Sequence, residues 1–224
     1  MRQLALELAS PPAPTLDNFV AGGNAEVLAA LRALLSAAAT ERFIYLWGVP
    51  GSGRSHLLRG VLHALAAAGK SVCLYPTAVK PLVDHSAVVV GIDDVEHLED
   101  QAQINLFNIF NNLRDSGGIL VVTGDRPPAQ LRLRADLLTR LAWGLVYEVH
   151  ALSESDLRAA VVDYAAARGF TLPSEVLDYL LVRVSRDLSS LRALVDTLDR
   201  VSLEQKRAVT VPLAREVLQA VQQK

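Results

Sequence analysis

Apolar residues along this chain fall into two alternating patterns. Short, nearly continuous apolar runs recur at 43–47, 71–75, 88–92, 119–123 and 145–149. Runs of that length, without regular polar interruption, predict strands buried on both faces. Between them lie stretches of helical period. From Ser55 to Ala68 one such stretch follows the first run, and in Asp100 to Arg114 the residues Leu106, Ile109, Phe110 and Leu113 share a face. The alternation predicts an α/β fold with a five-stranded parallel sheet between helices, and ligands at the carboxyl ends of the strands.

After residue 152 the strand pattern stops. Ser153-Glu154-Ser155-Asp156 opens a helix with a capping-box spacing, Gly169 ends it, and Pro173-Ser174 starts the next. Two further helices are separated near Val209-Thr210-Val211-Pro212. The expected organisation is an α/β domain over 15–152 and a small all-helical domain over 153–224. Ahead of both, Ser10-Pro11-Pro12-Ala13-Pro14 reads as a stiff, extended linker that isolates the first eight residues.

Composition narrows the setting. The 224 residues are 51% apolar, ample for a core, and no apolar run approaches the length of a membrane span. The first residues lack a basic stretch followed by a long apolar region, so no secretory signal is read there. A single cysteine, Cys73, cannot build a disulfide framework. It reads as a small buried hydrophobe in a reducing, cytoplasmic setting. A net charge of −2 argues against a large uniform nucleic-acid surface, and the local pair Arg132 and Arg134 reads as a solvated rim.

The densest chemical signal is Gly48-Val49-Pro50-Gly51-Ser52-Gly53-Arg54-Ser55, set between the first strand and the first helix. It follows the phosphate-loop pattern except that Arg54 stands where lysine belongs. In a strand–loop–helix setting, successive N–H groups and the helix N-terminus converge on a polyphosphate. Arg54 keeps the charge, but a planar fork on a longer stem is not equivalent to a compact ammonium. Nucleotide binding is therefore expected and hydrolysis is not. The bland alternative is a glycine turn that binds nothing. A second motif strengthens the first: the strand ending at Ile92 runs into Asp93-Asp94. Carboxylates at such a tip hold Mg²⁺ against a triphosphate, with Ser55 as the other protein ligand and Asp94 orienting a water. Asp93-Asp94 also suits a helix cap, which is compatible with the metal role.

With these motifs in place, the chain resembles the DnaA-related AAA+ family. Thr15-Leu16-Asp17-Asn18-Phe19-Val20, Arg54-Ser55-His56-Leu57-Leu58, Ile92-Asp93-Asp94, Thr123-Gly124-Asp125-Arg126-Pro127-Pro128 and Arg140-Leu141-Ala142-Trp143-Gly144-Leu145 occur in the family's order. The Hda-type regulatory inactivators of DnaA, a shorter branch, are similar in length, in the loop arginine and in the Asp-Arg-Pro-Pro turn. The resemblance implies an AAA+ phosphate-loop domain followed by a helical lid. It implies bound ADP or ATP with Mg²⁺, held by Gly48, Gly51, Ser52, Gly53, Arg54, Ser55 and His56. Asp125 takes the place of a polar γ-phosphate sensor, and Arg140 that of an arginine finger reaching a neighbouring subunit's nucleotide.

The same resemblance assigns Gln3, Leu4, Leu6 and Leu8 to a peptide that binds the replicative sliding clamp, although Glu7 stands where the motif usually has proline. The bland reading of that leucine-rich segment is a strand or a frayed end. For Arg140 the alternatives are a surface arginine or a structural ion pair. The lid's sensor arginine aligns with Ser189, leaving Arg186 and Arg192, one turn to either side, to substitute for it. The implied activity is negative control of replication initiation: an ADP-bound protein docked on the DNA-loaded clamp stimulates hydrolysis of DnaA's ATP. The implied partners are DnaA, the clamp, DNA through the clamp, and a further copy of the chain; no membrane is implied. Two other readings remain open, a self-sufficient AAA+ ATPase such as a helicase loader and a DNA-binding adaptor.

Overall fold

The computed structural model of the chain describes residues 13–36, 39–75, 88–185 and 187–222. The proposed clamp residues Gln3, Leu4, Leu6 and Leu8, and Arg186, lie outside the described residues.

Five strands, β1 (Phe43–Trp47), β2 (Val72–Tyr75), β3 (Val89–Ile92), β4 (Ile119–Gly124) and β5 (Leu145–Glu148), fall where the apolar runs predict them. They form one parallel sheet in the order β2-β3-β4-β1-β5, with Leu46 opposite Thr123 and Tyr147. β3 and β4 are buried throughout because helices cover both faces. Strand alternation divides the core into two. Ile44, Leu46 and Val121 face α1 (Ala25–Ala33) and α2 (Arg54–Ala67), where they meet Leu31, Leu57, Leu58 and Leu65. Tyr45, Leu120 and Val122 face α3 (Asp100–Ser116) and α4 (Ala135–Leu141), against Leu106, Phe110 and Leu137. Cys73 packs partly buried on the second face, in the edge strand β2.

Four helices follow: α5 (Glu154–Ala167), α6 (Ser174–Arg183), α7 (Leu188–Gln205) and α8 (Val211–Gln222). They enclose a core of their own, with Leu157, Val161, Leu180, Leu191, Leu198 and Leu213 buried together. Ser153 caps α5 by accepting the Asp156 N–H at 3.1 Å. The reciprocal contact differs from a capping box, since the Asp156 carboxylate accepts the Ser153 hydroxyl at 2.7 Å. Asp187 caps α7 by accepting the Ser190 N–H at 2.8 Å. The buried Asn24 side chain ties the exit of β5 to the start of α1, donating to the His150 carbonyl and accepting the His150 N–H.

Candidate functional site

The phosphate loop leaves the Trp47 end of β1 and closes on the first turn of α2. Gly51 and Gly53 have φ of 81° and 100°, values a side chain rarely adopts. A Cβ at Gly53 would lie 2.7 Å from the Phe19 ring, and one at Gly51 would lie 2.7 Å from Asp187 in the lid. The reasons for these glycines thus include protein neighbours as well as a phosphate. The loop keeps a buried polar atom in reserve: the Ser52 hydroxyl has no protein partner. A desolvated hydroxyl left unmade is costly, and together with the N-terminus of α2 it suits an anionic ligand. These residues fit a nucleotide's phosphates.

At the neighbouring strand tips, Asp93 organises a polar knot. Its Oδ1 accepts the Ser55 hydroxyl at 2.8 Å and the Thr123 hydroxyl at 2.7 Å, while the Arg59 guanidinium lies 3.5 Å from Oδ2. The partners make its burial tolerable. Ser55 and Asp93 would be the protein ligands of a Mg²⁺ ion, the pairing expected from sequence. Thr123, which sequence reasoning did not single out, is the bridge. It also accepts the Asp94 N–H at 2.8 Å. Asp94 adopts φ 51°, ψ 59°, a conformation uncommon outside glycine and stored mostly where the surroundings demand it.

Arg54 is turned toward these strands. Its side chain, 10% exposed, donates to the Gly124 carbonyl and lies 3.6 Å from the Asp94 carboxylate. The loop's cation is thus engaged at the tips of β3 and β4. Asp125, the sensor candidate, is gripped by Arg126 through contacts of 2.5–3.0 Å. That hydrogen bonding holds its carboxyl below the ordinary range. Glu96 is pushed the other way, first by burial and then by the Asp125 and Asp94 charges, against the opposing pull of its own backbone hydrogen bond, and its Oε2 has no protein partner.

Above the loop is a cleft of about 430 Å³, lined by Asn18, Phe19, Ser52, His56, Ser189 and Arg192 among others. His56 contacts the Thr15 carbonyl at 3.0 Å and the Phe19 ring at a centroid distance of 5.6 Å. Of the three lid positions considered from sequence, Ser189 and Arg192 both line this cleft. Arg192 sits 5.1 Å over the Tyr164 ring with its Nε buried and without a partner. Tyr164 donates to Asp196 at 2.8 Å, and Arg168 lies 3.0 Å from the same carboxylate.

Burial lowers the His56 pKa below its usual 6.5, so the folded chain resists protonating a ring that the unfolded chain protonates freely. The His56 contribution is therefore intact above pH 6.5 and lost as pH falls through the lower, folded value. The expected result is a melting temperature that declines from pH 7.5 to 5.5 less steeply in His56→Gln than in wild type. Equal slopes would refute it.

Arg140 lies elsewhere. At the end of α4 its guanidinium is 5.3 Å over Phe107, 5.7 Å over Phe110 and 5.9 Å over Trp143, with Nε buried and unpartnered. No ion pair is formed by Arg140 among the described contacts, in contrast to Arg134, which pairs with Asp136 at 2.9 Å as a solvated rim residue would. The backbone just beyond Arg140 packs on the Phe43 end of β1, where a Cβ on Gly144 would collide with the Phe43 carbonyl. The phosphate loop leaves the opposite end, four residues away, about 13 Å along a strand.

Known proteins agree with this architecture. A family model described as "Hda, lid domain" matches residues 154–218, and one for the bacterial DnaA ATPase domain matches 82–148. Domain III of the Thermotoga maritima replication initiation protein DnaA superposes with a TM-score of 0.79 at 24% identity, covering 94% of this chain and 97% of that one. AMPPCP-bound DnaA from Aquifex aeolicus gives 0.73 at 22%, covering 84% and 66%. The RuvB Holliday junction branch migration motor of Thermotoga maritima gives 0.69 at 14%, covering 92% and 72%, a likeness of fold. From the nucleotide-loop architecture, the DnaA-type ATPase match and the Hda-type lid match, the chain belongs to the Hda/DnaA-related AAA+ proteins.

Proposed function

We propose that this chain is an ADP-bound regulator of replication initiation that docks on the DNA-loaded sliding clamp and stimulates hydrolysis of the ATP held by DnaA. Family membership supports a role in the control of initiation. The observation that carries the finer reading is the separation of Arg140 from its own phosphate loop. An arginine at the Phe43 end of β1 is poorly placed for a phosphate at the Trp47 end, which supports a phosphate held by another molecule as its target.

This chain's nucleotide is held and not consumed. Ser52, the loop N–H groups and the N-terminus of α2 bind its phosphates; Ser55 and Asp93 would hold Mg²⁺. Arg54, engaged with Gly124 and Asp94, occupies the strand tips where a γ-phosphate would approach, which favours the diphosphate. His56, Phe19 and Arg192 close the cleft from the other side, and the lid contact between Asp187 and Gly51 couples the helical domain to the loop. In the complex, water attacks the γ-phosphorus of DnaA's ATP and the bond to the β–γ bridging oxygen breaks, leaving ADP on DnaA. Arg140 leaves its aromatic seat and meets the charge that builds on the transferring group.

The clamp contact is assigned to Gln3, Leu4, Leu6 and Leu8. Replacing Leu6 and Leu8 together by alanine is expected to abolish clamp binding while leaving the melting temperature and ADP affinity unchanged. A pull-down with purified clamp decides the point, and binding that survives deletion of residues 1–9 would contradict it. The same pull-down with DnaA added, with and without ADP, tests the assembly as a whole.

A further inference from the structure

Trp143 is 56% exposed, yet it is not a loose surface side chain. The Arg114 guanidinium lies 5.6 Å from its ring and that of Arg140 5.9 Å. Its ring also packs on Phe110 at 5.9 Å, and Phe110 packs on Phe43 at 4.7 Å. An exposed indole is thereby anchored to the sheet through the buried Phe110 and the partly buried Phe43, and flanked by two cations. A ring fixed in this way has already lost the freedom that binding would otherwise remove. Large aromatics beside arginine are also the chemistry of interface anchors.

From this arrangement we infer that Trp143, steadied by Arg114, is the docking anchor for the ATP-carrying DnaA subunit. This inference rests on the proposed function, because that reading supplies the occupant. If Arg140 reaches a partner's triphosphate, the partner covers its immediate surroundings, and Trp143 is the exposed part of them. Charge fits as well: the anionic nucleotide edge of the partner would face the Arg140 guanidinium beside the indole, a cation with no carboxylate partner among the described contacts. Val146, 37% exposed on the edge strand β5, extends the same stretch of chain with apolar surface. A nucleic-acid strand is the other occupant of aromatic and arginine surfaces. It is disfavoured here because Arg114 is already paired with Asp115 at 3.0 Å and the chain's net charge is −2.

The roles of Trp143 and Arg140 are separable. Anchor loss lowers affinity, whereas finger loss lowers turnover. The test titrates ATP-loaded DnaA against the ADP-loaded chain with DNA-loaded clamp at fixed concentration, reading half-saturation and maximal hydrolysis. Direct binding to immobilised ATP-loaded DnaA is measured alongside. Trp143→Ala is expected to raise half-saturation and the direct Kd roughly 30-fold, with maximal turnover within about twofold. Arg114→Ala should move both affinities the same way by less, and both variants should melt as wild type does.

Unchanged affinity in Trp143→Ala would overturn the inference. So would a loss confined to maximal turnover, which would make Trp143 only a support for Arg140. A loss of oligo(dT) binding with DnaA affinity intact would assign the surface to single-stranded DNA instead, and would equally overturn it. Wild-type protein that binds DnaA without stimulating hydrolysis would remove the finger reading and leave the anchor standing. Wild-type protein that does not bind ATP-loaded DnaA would remove both.

Discussion

Arg140→Ala is expected to lower stimulated hydrolysis of DnaA-bound ATP by about 10³-fold, the lower part of the range for an arginine supplied in trans. The effect would be large because a guanidinium in the proposed role acts only as charge develops in the transition state. Arg140→Lys should recover little, since an ammonium cannot present two parallel donors to phosphate oxygens. Neither change should disturb ADP binding, because Arg140 is packed on Phe107, Phe110 and Trp143 and not on the nucleotide cleft. Each contact of the single Arg140 guanidinium with those rings contributes about 0.5–1 kcal/mol, against the cost of a buried Nε without an acceptor. The resting position is therefore not deeply bound, and release to a partner's phosphate is inexpensive. Calorimetry with ADP and single-turnover hydrolysis on the same preparations check both parts. Full activity in the alanine variant would eliminate Arg140 as the finger, and lost ADP binding would give it a structural role.

The second large effect concerns the chain's own nucleotide. Wild type should bind ADP at least as tightly as ATP and show negligible turnover alone. Arg54→Lys should shift the preference toward ATP by about tenfold or more, the worth of one charge-assisted hydrogen bond to the added phosphate. The reason is geometric: the arginine fork spans the Gly124 carbonyl and the Asp94 carboxylate together, and a single ammonium does not. Calorimetric titration of both nucleotides into both proteins reads this directly. A wild type with strong ATP preference and repeated turnover would instead support a self-sufficient ATPase.

Much of the architecture was legible in the pattern of apolar positions. All five strands coincide with apolar runs, most completely in β3 and β4, where cover on both faces leaves no solvent-facing position for a polar residue, while the edge strands β2 and β5 keep exposed positions at Leu74, Val146 and Glu148. The lid was legible through its punctuation: Ser153, Gly169 and Pro173 each stand at a helix boundary for a local backbone reason. At the site, Ser55 and Asp93 were legible because their motifs specify where strand tips and loop meet, and they lie 2.8 Å apart. What was not legible depended on contacts between distant segments. Thr123 joins Asp93 only because β4 lies beside β3, and nothing in a lone threonine signals this. The direction of Arg54 follows from the position of the Gly124 carbonyl, a backbone group with no sequence signature. Arg192, one of the two substitutes considered for Ser189, lines the cleft together with Ser189, and helical spacing alone does not show which face of α7 meets the cleft. The aromatic seat of Arg140 combines residues from α3 with the turn before β5, so neither segment reveals it alone.

The central claim is that the ATP consumed belongs to DnaA and not to this chain. The most direct measurement loads DnaA with γ-labelled ATP and this chain with unlabelled ADP, then follows label release in one turnover with and without DNA-loaded clamp. The account predicts rapid conversion of DnaA's ATP to ADP only when chain and clamp are both present, with the chain's ADP retained throughout. DnaA-bound label that persists in the full mixture, or label released equally fast when ATP is given to this chain without DnaA, would contradict it.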